Sequence, residues 1–201
     1  MKGSRTDDDE FRIARSIALE AYSDLESSLA YLLGRLLGTT NDRAMIIFSR
    51  LTNASARNEI LEHLLESVHG AKYDTYWHGQ PGSGGQPKIL GLFALIRQCD
   101  SRRNEVVHWH VASTSTSDGE HWKDLRSARS PDLKPLTTPD LHQFTVKAKF
   151  AHLSVFHFTQ FTTKTPEVFV RSYGALETWT RIFAQPVPYP PSSDHPLAPK
   201  P

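Results

Sequence analysis

The sequence predicts a mainly α-helical domain, and three observations lead to that fold class. Apolar residues recur at three- and four-residue spacing through most of the chain, which is typical of amphipathic helices. Helix-start signals precede several of these stretches. Of the 201 residues, 38% are hydrophobic and 22% are charged, an ordinary composition for one globular domain. We therefore expect an α-helical bundle of five or six helices over residues 8–185, with disordered ends at 1–7 and 186–201.

The first predicted helix is long and follows the acidic run at residues 7–9, since acidic side chains favour a helix N-terminus. Its predicted apolar stripe consists of Ile13, Ile17, Ala21, Leu25, Leu29, Leu32 and Leu36. The sequence Gly-Thr-Thr-Asn at residues 38–41 ends this helix and caps a shorter one over residues 45–51.

A third helix is expected to begin at Asn53 or Ser55, either of which is a favourable N-cap, and to end at Gly70. Residues 74–87 contain four glycines and two prolines, so we expect a loop without regular structure. This loop is not a phosphate-binding loop, because it lacks the Gly-Lys-Ser/Thr ending that holds phosphate and magnesium.

Residues 88–110 are predicted to form a fourth helix, with one apolar face made by Ile89, Leu92, Phe93, Ile96, Cys99 and Val107. Residues 111–130 then become polar around Asp118-Gly119, a dipeptide that favours a hairpin turn. We expect a short polar hairpin after this helix.

Thr-Pro-Asp at residues 138–140 and Thr-Pro-Glu at residues 165–167 are start signals for two more helices. The first has the apolar stripe Leu141, Phe144, Ala148, Ala151, Val155 and Phe158. The second, predicted as one last helix, carries Phe169, Tyr173, Leu176 and Phe183. Proline dominates from Pro186 onward, so a disordered or polyproline-like tail is expected.

Charge and cysteine content narrow the classes of function. The net charge is +1 with histidine neutral, which does not fit a protein that coats nucleic acid through bulk positive charge. Cys99 is the single cysteine, so an intramolecular disulfide framework is excluded and a reducing compartment is favoured. Residues 1–10 lack the features of a signal peptide, and no window has the apolar length of a membrane span. We expect a cytoplasmic protein without a membrane partner.

Three polar residues crowd the C-terminal end of the predicted fourth helix. A helix turns about 100° per residue, so Arg103 falls near the middle of the apolar stripe. A charged group in that position requires a partner or a water-filled opening. Asn104 and His108 are four residues apart and therefore neighbours on one flank of the helix.

The segment Arg103-Asn104-Glu105-Val106-Val107-His108 resembles the ribonuclease motif of HEPN (higher eukaryotes and prokaryotes nucleotide-binding) domains. That motif is Arg, then Asn, His or Asp, then three residues, then His, near the end of a helix in a helical bundle. The resemblance extends as a pattern to residues 8–185: a long first helix, a helical hairpin, and a motif helix followed by a hairpin segment.

This resemblance implies metal-independent cleavage of RNA by a homodimer in which the two motifs face each other. It assigns His108 as general acid or base, because imidazole titrates near neutral pH and can move the proton of the ribose 2′-hydroxyl or of the leaving oxygen. Arg103 would stabilise charge on the phosphate, Asn104 would orient His108 or the phosphate, and the product would be a cyclic phosphate. No cofactor is implied. Many members of the family are toxins or defence effectors, so the resemblance also implies such a role, with a cognate antitoxin as partner.

Other residues are weaker candidates for contacts with RNA. Arg102, Lys123 and Arg126 are basic residues near the motif or after the hairpin turn, with Arg129 close by, although a solvated surface is the ordinary role of such groups. The four tryptophans are candidates for stacking on bases, although tryptophan more often packs in a core: Trp77, Trp109, Trp122 and Trp179.

A second Arg-Asn-Glu sequence, at residues 57–59, is followed by His63. Its gap is one residue longer than that of the later copy, and it lies inside a helix, where a solvated face is the simpler interpretation. We prefer the later copy and keep Arg57 as a supporting phosphate contact.

Two alternatives remain at this point. If residues 106–111 formed a strand, His108 and His110 would share a face, and with His121 they would resemble a zinc site. The continued apolar rhythm favours a helix instead. A non-catalytic helical module that binds RNA, nucleotide or a protein is the alternative function, since a fold resemblance does not establish activity.

Overall fold

A computed structural model describes residues 4–82, 88–115, 121–187 and 189–198. The described chain is mainly helical, as predicted. Its helices, in chain order, are α1 (Ser4–Leu36), α2 (Asn41–Arg50), α3 (Ala54–His69), a 3₁₀ turn (Gly70–Tyr73), α4 (Asp74–His78), α5 (Leu92–His108), α6 (Thr138–Thr163), α7 (Pro166–Tyr173) and α8 (Leu176–Phe183). None of these helices has the length and apolarity needed to cross a bilayer.

Two antiparallel strand pairs complete the described structure. The short pair joins β1 (Gly79–Gln80) to β2 (Ile89–Leu90). The longer pair joins β3 (His110–Ser115) to β4 (His121–Arg126), which confirms the hairpin predicted after the motif helix. The Asp118-Gly119 turn lies outside the described residues.

Helices α1 and α6 form the centre of the fold and pack along each other more extensively than any other pair of elements. Helix α5 packs against both, so its last turns end where α1, α6 and the β3–β4 hairpin meet. The predicted stripe of α6 is buried as expected: Leu141, Phe144, Ala148, Ala151, Val155 and Phe158. A capping box fixes the start of α6. The Asp140 carboxylate accepts hydrogen bonds from the backbone N–H and the hydroxyl of Thr137.

Several predicted helix ends are confirmed in their chemistry. The Asn53 side chain accepts a hydrogen bond from the Ser55 backbone N–H at the start of α3. Gly70 ends α3 with φ of 57°, a left-handed conformation that favours glycine. Both ends follow from the local sequence alone.

The predicted apolar face of α1 is wrong in its first half. Ile13 and Ile17 are 58% and 37% exposed, whereas the next residues round the helix, Ala14 and Ala18, are buried. The hydrophobic rhythm allows either pair to face inward. Helix α1 packs against α6, α5 and β4, and the small side chains of Ala14 and Ala18 allow neighbouring elements to approach this buried face closely.

Three further elements differ from the predicted boundaries. The predicted fourth helix, residues 88–110, is α5 over Leu92–His108, because Ile89 and Leu90 form β2 and His110 begins β3. The expected loop at residues 74–87 begins with α4, whose Tyr76 and Trp77 are buried in an aromatic cluster; residues 83–87 lie outside the described part. The predicted last helix is two helices, because Gly174, with φ of 88°, breaks it between α7 and α8.

The structure also describes residues near both chain ends. Helix α1 begins at Ser4. In the described part of the tail, Val187 and Leu197 are buried and the Tyr189 ring lies 5.5 Å from that of Phe150 on α6. Proline prevents a helix here, yet isolated apolar side chains between prolines still bury against α6.

Candidate functional site

The motif residues occupy the last two turns of α5. The helix ends at His108, since Trp109 is already extended with φ of −77° and ψ of 142°, and its N–H donates to the Glu105 carbonyl. His108 therefore closes a helix and His110 opens strand β3. The premise of the zinc interpretation, a strand over residues 106–111, is wrong. Among the described residues there is no cluster of three or more side chains able to hold a metal ion.

Two clefts open on either side of the α5 end, and the motif divides between them. Arg103 lines a cleft of about 450 Å³ between α1, α2, α3 and α5, which we call the arginine cleft. His108 lines a cleft of about 640 Å³ between α5 and the segment after β4, which we call the histidine cleft. Asn104 lines both. Five helical residues span about 500°, so Arg103 and His108 point about 140° apart.

Arg103 is half-buried and held by neutral groups. Its Nη1 donates to Asn104 Oδ1 at 3.3 Å, and its Cζ lies 5.8 Å from the centre of the Tyr22 ring. Within the described ranges, no carboxylate forms an ion pair with it. The guanidinium thus faces the arginine cleft with its charge uncompensated by a direct partner, which is the state needed to receive an anion.

Beneath Arg103 a buried polar network links three helices. Asp100 on α5 is 9% exposed and accepts hydrogen bonds from the Tyr22 hydroxyl at 2.7 Å and from the Asn58 amide at 2.9 Å. Burial, helped by the charge of Asp100, raises the pKa of the Tyr22 hydroxyl, so this group remains a donor. Asp100 lies one turn before Arg103, so the network fixes the part of α5 that carries it.

Arg57 lines the same arginine cleft but has a partner. It donates to Glu26 on α1 at 2.6 Å and lies over the Phe48 ring at 4.7 Å. Burial disfavours its charge, yet the hydrogen bond and the charge of Glu26 outweigh this and raise its pKa. His63, the histidine of this earlier Arg-Asn-Glu copy, is exposed and lines neither cleft.

The histidine cleft is lined by the end of α5 and by the residues that follow β4. His108 is exposed, Trp109 is half-buried against the core, and Arg129 reaches the same cleft from the turn after β4. Arg15 of α1 stabilises the end of α5, because its guanidinium donates to the Val106 carbonyl at 2.7 and 3.1 Å. A cation at the last carbonyls of a helix satisfies groups that would otherwise lack partners.

The remaining predicted contacts lie elsewhere. Arg102 forms an ion pair with Glu105 at 2.6 Å and lines a third cleft, beside α6 and Tyr189. Arg126 on β4 donates to Asp124 at 2.8 and 2.9 Å, and neither it nor Lys123 lines the two motif clefts. The structure therefore brings Arg57 together with Arg103, and leaves Arg102, Lys123 and Arg126 apart from them.

Sequence reasoning missed Asp100, and it did not connect Trp109 and Arg129 with His108. Asp100 was accessible from spacing, because it precedes Arg103 by three residues and Asn104 by four on one helix face. The proximity of Arg129 to Trp109 depends on the register of the hairpin, which the sequence does not give.

Comparisons with protein-family models, with curated proteins and with solved structures find no match to this chain.

Proposed function

We propose that this chain is a metal-independent endoribonuclease of the HEPN type. One observation carries the proposal: the end of α5 presents Arg103, Asn104 and His108 around the helix. Arg103 has no ion-pair partner in the described chain, and Asn104 and His108 are exposed. Cleavage of RNA through its own 2′-hydroxyl can use these three groups: a cation for the phosphoryl oxygens, a hydrogen-bonding group for orientation and a histidine for proton transfer. The HEPN pattern of the sequence supplies the spacing, and the mainly helical fold is compatible with it.

In the proposed reaction the ribose 2′-oxygen attacks the adjacent phosphorus and the 5′-oxygen of the next nucleotide leaves. His108 takes the proton of the 2′-hydroxyl or delivers one to the leaving 5′-oxygen, and water or the His108 of the second protomer carries out the other proton transfer. Arg103 stabilises the negative charge that builds on the phosphoryl oxygens, and Asn104 orients the phosphate between them. The products are a 2′,3′-cyclic phosphate and a free 5′-hydroxyl.

Because Arg103 and His108 of one protomer line separate clefts, the proposed reaction requires a homodimeric site. A single protomer presents the two groups about 140° apart round α5, so a second α5 end facing the first would bring an arginine and a histidine onto one phosphate. Light scattering of the purified chain should then give about twice the 22.7 kDa mass of one chain. From the family resemblance alone we also propose a toxin or defence role, with a cognate antitoxin as partner.

The test is cleavage of mixed single-stranded RNA with EDTA present, by the wild type, His108→Ala and His110→Ala. His110 is the matched control, an exposed histidine two residues away that begins β3. We expect cleavage by the wild type and by His110→Ala, and a loss of at least about 100-fold in His108→Ala, the usual contribution of a general acid or base. Equal activity of His108→Ala and the wild type would contradict the proposal.

A non-catalytic module is the second candidate, and the same separation of Arg103 from His108 favours it if the chain is a monomer. Both clefts would then bind RNA without cutting it. A folded wild type that binds RNA, leaves it uncut and elutes as a monomer would establish this second function.

A further inference from the structure

We propose that the histidine cleft is a subsite for one nucleotide of single-stranded RNA, in which Trp109 stacks on the base and Arg129 binds a phosphate. The inference rests on the proposed function, because it names how the substrate is held beside His108. It adds two residues to which neither the motif nor its spacing points.

The hairpin register builds this cleft. His110 pairs with Arg126 at the open end of the β3–β4 ladder, so the residues just outside the ladder, Trp109 and Ser127, face each other. The turn that follows Ser127 brings Arg129 to the same opening. Asn104 and His108 of α5 form the facing side.

The charges in the cleft favour an anion. Among the described residues, Glu105 is the one carboxylate that lines this cleft, and Arg102 binds that carboxylate at 2.6 Å. Arg129 is exposed and, among the residues that the structure describes, has no ion-pair partner. A phosphate entering here therefore meets a free guanidinium and a neutralised carboxylate.

The aromatic side chain favours a nucleotide over a simple anion. Trp109 is half-buried and packs against the core, so its ring is anchored while one part still lines the cleft. A base stacked on an aromatic ring contributes affinity whatever its identity, provided that it is free of its own duplex. The volume of about 640 Å³ lies within the usual range of ligand sites.

His108 and Asn104 line this cleft as well, so the bound nucleotide would adjoin the phosphate that is cut. Trp109 and Arg129 would therefore set how tightly the nucleotide next to that phosphate is held. They are binding residues of the substrate and take no part in proton transfer.

The test measures binding in the full-length His108→Ala chain, so that the RNA stays intact. A fluorescein-labelled ten-nucleotide single-stranded RNA is titrated by anisotropy, with the same RNA in a duplex as comparison. Further substitutions in this background are Trp109→Phe, Trp109→Leu, Arg129→Gln and Arg171→Gln. Arg171 is an exposed arginine on α7 that lines neither motif cleft and serves as the matched control.

We expect Trp109→Leu to weaken binding of the single strand about 10-fold, and Trp109→Phe, which keeps an aromatic face, to weaken it less than about 3-fold. Arg129→Gln should weaken binding several-fold and reduce its salt dependence, and Arg171→Gln should do neither. Circular dichroism of each variant serves as the control for folding. Equal affinities of the Phe and Leu variants, or equal binding of the duplex, would overturn the inference.

The two proposals fail separately. If the wild type cuts RNA but Trp109→Leu and Arg129→Gln bind the single strand as the background chain does, the subsite is wrong and the ribonuclease stands. If the wild type cuts no RNA but these variants lose affinity as expected, the subsite stands and the catalytic function is wrong.

Discussion

The arginine cleft and the histidine cleft lie on either side of one helix end, and they are built differently. On the arginine side, hydrogen bonds from Tyr22 and Asn58 to Asp100 tie α1 and α3 to α5, and half-buried Arg103 lies above them. On the histidine side, His108 is exposed at the point where the helix becomes a strand. The first region is held by side chains from three helices, and the second by the helix end and a hairpin.

This contrast matches the different tasks proposed for the two groups. A guanidinium that stabilises charge acts best when it is fixed in advance, because no reorganisation is then needed during the reaction. A histidine that transfers protons must reach solvent as well as substrate. Substitutions on the two sides should therefore separate activity from stability.

The largest effect should follow from Arg103→Ala. Removing a preorganised group that stabilises the transition state costs about 100- to 1000-fold in rate. Stability should change little, because Arg103 has one long hydrogen bond and a distant ring contact. RNA cleavage rates and urea unfolding of the same samples measure both quantities.

Arg171→Ala is the control for that substitution, since this exposed arginine on α7 lines neither motif cleft. Its cleavage rate should stay within about 3-fold of the wild type, a change of less than 1 kcal/mol. Equal losses in both variants would mean that general positive charge, and not the position of Arg103, drives activity.

A second substitution, Asp100→Ala, tests the network below Arg103. It removes the acceptor of both Tyr22 and Asn58 and should lower the free energy of unfolding by about 2–4 kcal/mol. Tyr22→Phe removes one of the two bonds and should cost about 1–2 kcal/mol. Urea unfolding gives both values, and a Tyr22→Phe loss as large as that of Asp100→Ala would show that the network does not act through Asp100.

How far the sequence predicts this molecule depends on the range of the interactions involved. Local signals predicted the helix starts, the hairpin after α5 and the apolar stripe of α6. These signals are caps, turn residues and periodicity, which all act within a few residues. The inward face of α1 was not predictable, because the apolar rhythm allows either Ile13 or Ala14 to face inward and contacts with elements distant in sequence decide between them. Tertiary packing, and not the hydrophobicity of the single residue, determines which face of α1 is buried.

In the candidate site, too, the local features were predictable from the sequence and the long-range contacts were not. The spacing of Arg103, Asn104 and His108 located them at a helix end, where the structure has them. The pairing of Arg57 with Glu26 spans 31 residues, and that of Tyr22 with Asp100 spans 78, so neither is encoded locally. The division of the motif between two clefts likewise required the positions of α1, α3 and the hairpin.

The smallest effect concerns a second histidine, His157 on α6, which contrasts with the exposed His108. Burial, with a contribution from His152, lowers the pKa of His157 to about 4, and its buried Nδ1 has no hydrogen-bond partner in the part of the chain that the structure describes. The unfolded chain therefore binds more protons than the folded chain between pH 6.5 and 4. Stability should fall as the pH is lowered through this window and should gain nothing from this group above it.

Urea unfolding at pH 7.5 and pH 5 checks this expectation. His157→Phe should reduce the loss of stability between the two pH values, whereas His142→Gln, at an exposed position of the same helix, should leave it unchanged. An unchanged pH dependence in His157→Phe would mean that other groups cause the loss.

The most direct test of the central claim is the need for the ribose 2′-hydroxyl. A short single-stranded RNA that the wild type cuts in EDTA is compared with the same RNA carrying one 2′-deoxyribose on the 5′ side of the cut. We predict that the RNA yields a 2′,3′-cyclic phosphate end, and that the deoxy-substituted strand is uncut at that position. Cleavage of both strands at that position, or an RNA product ending in a 3′-hydroxyl, would contradict the account.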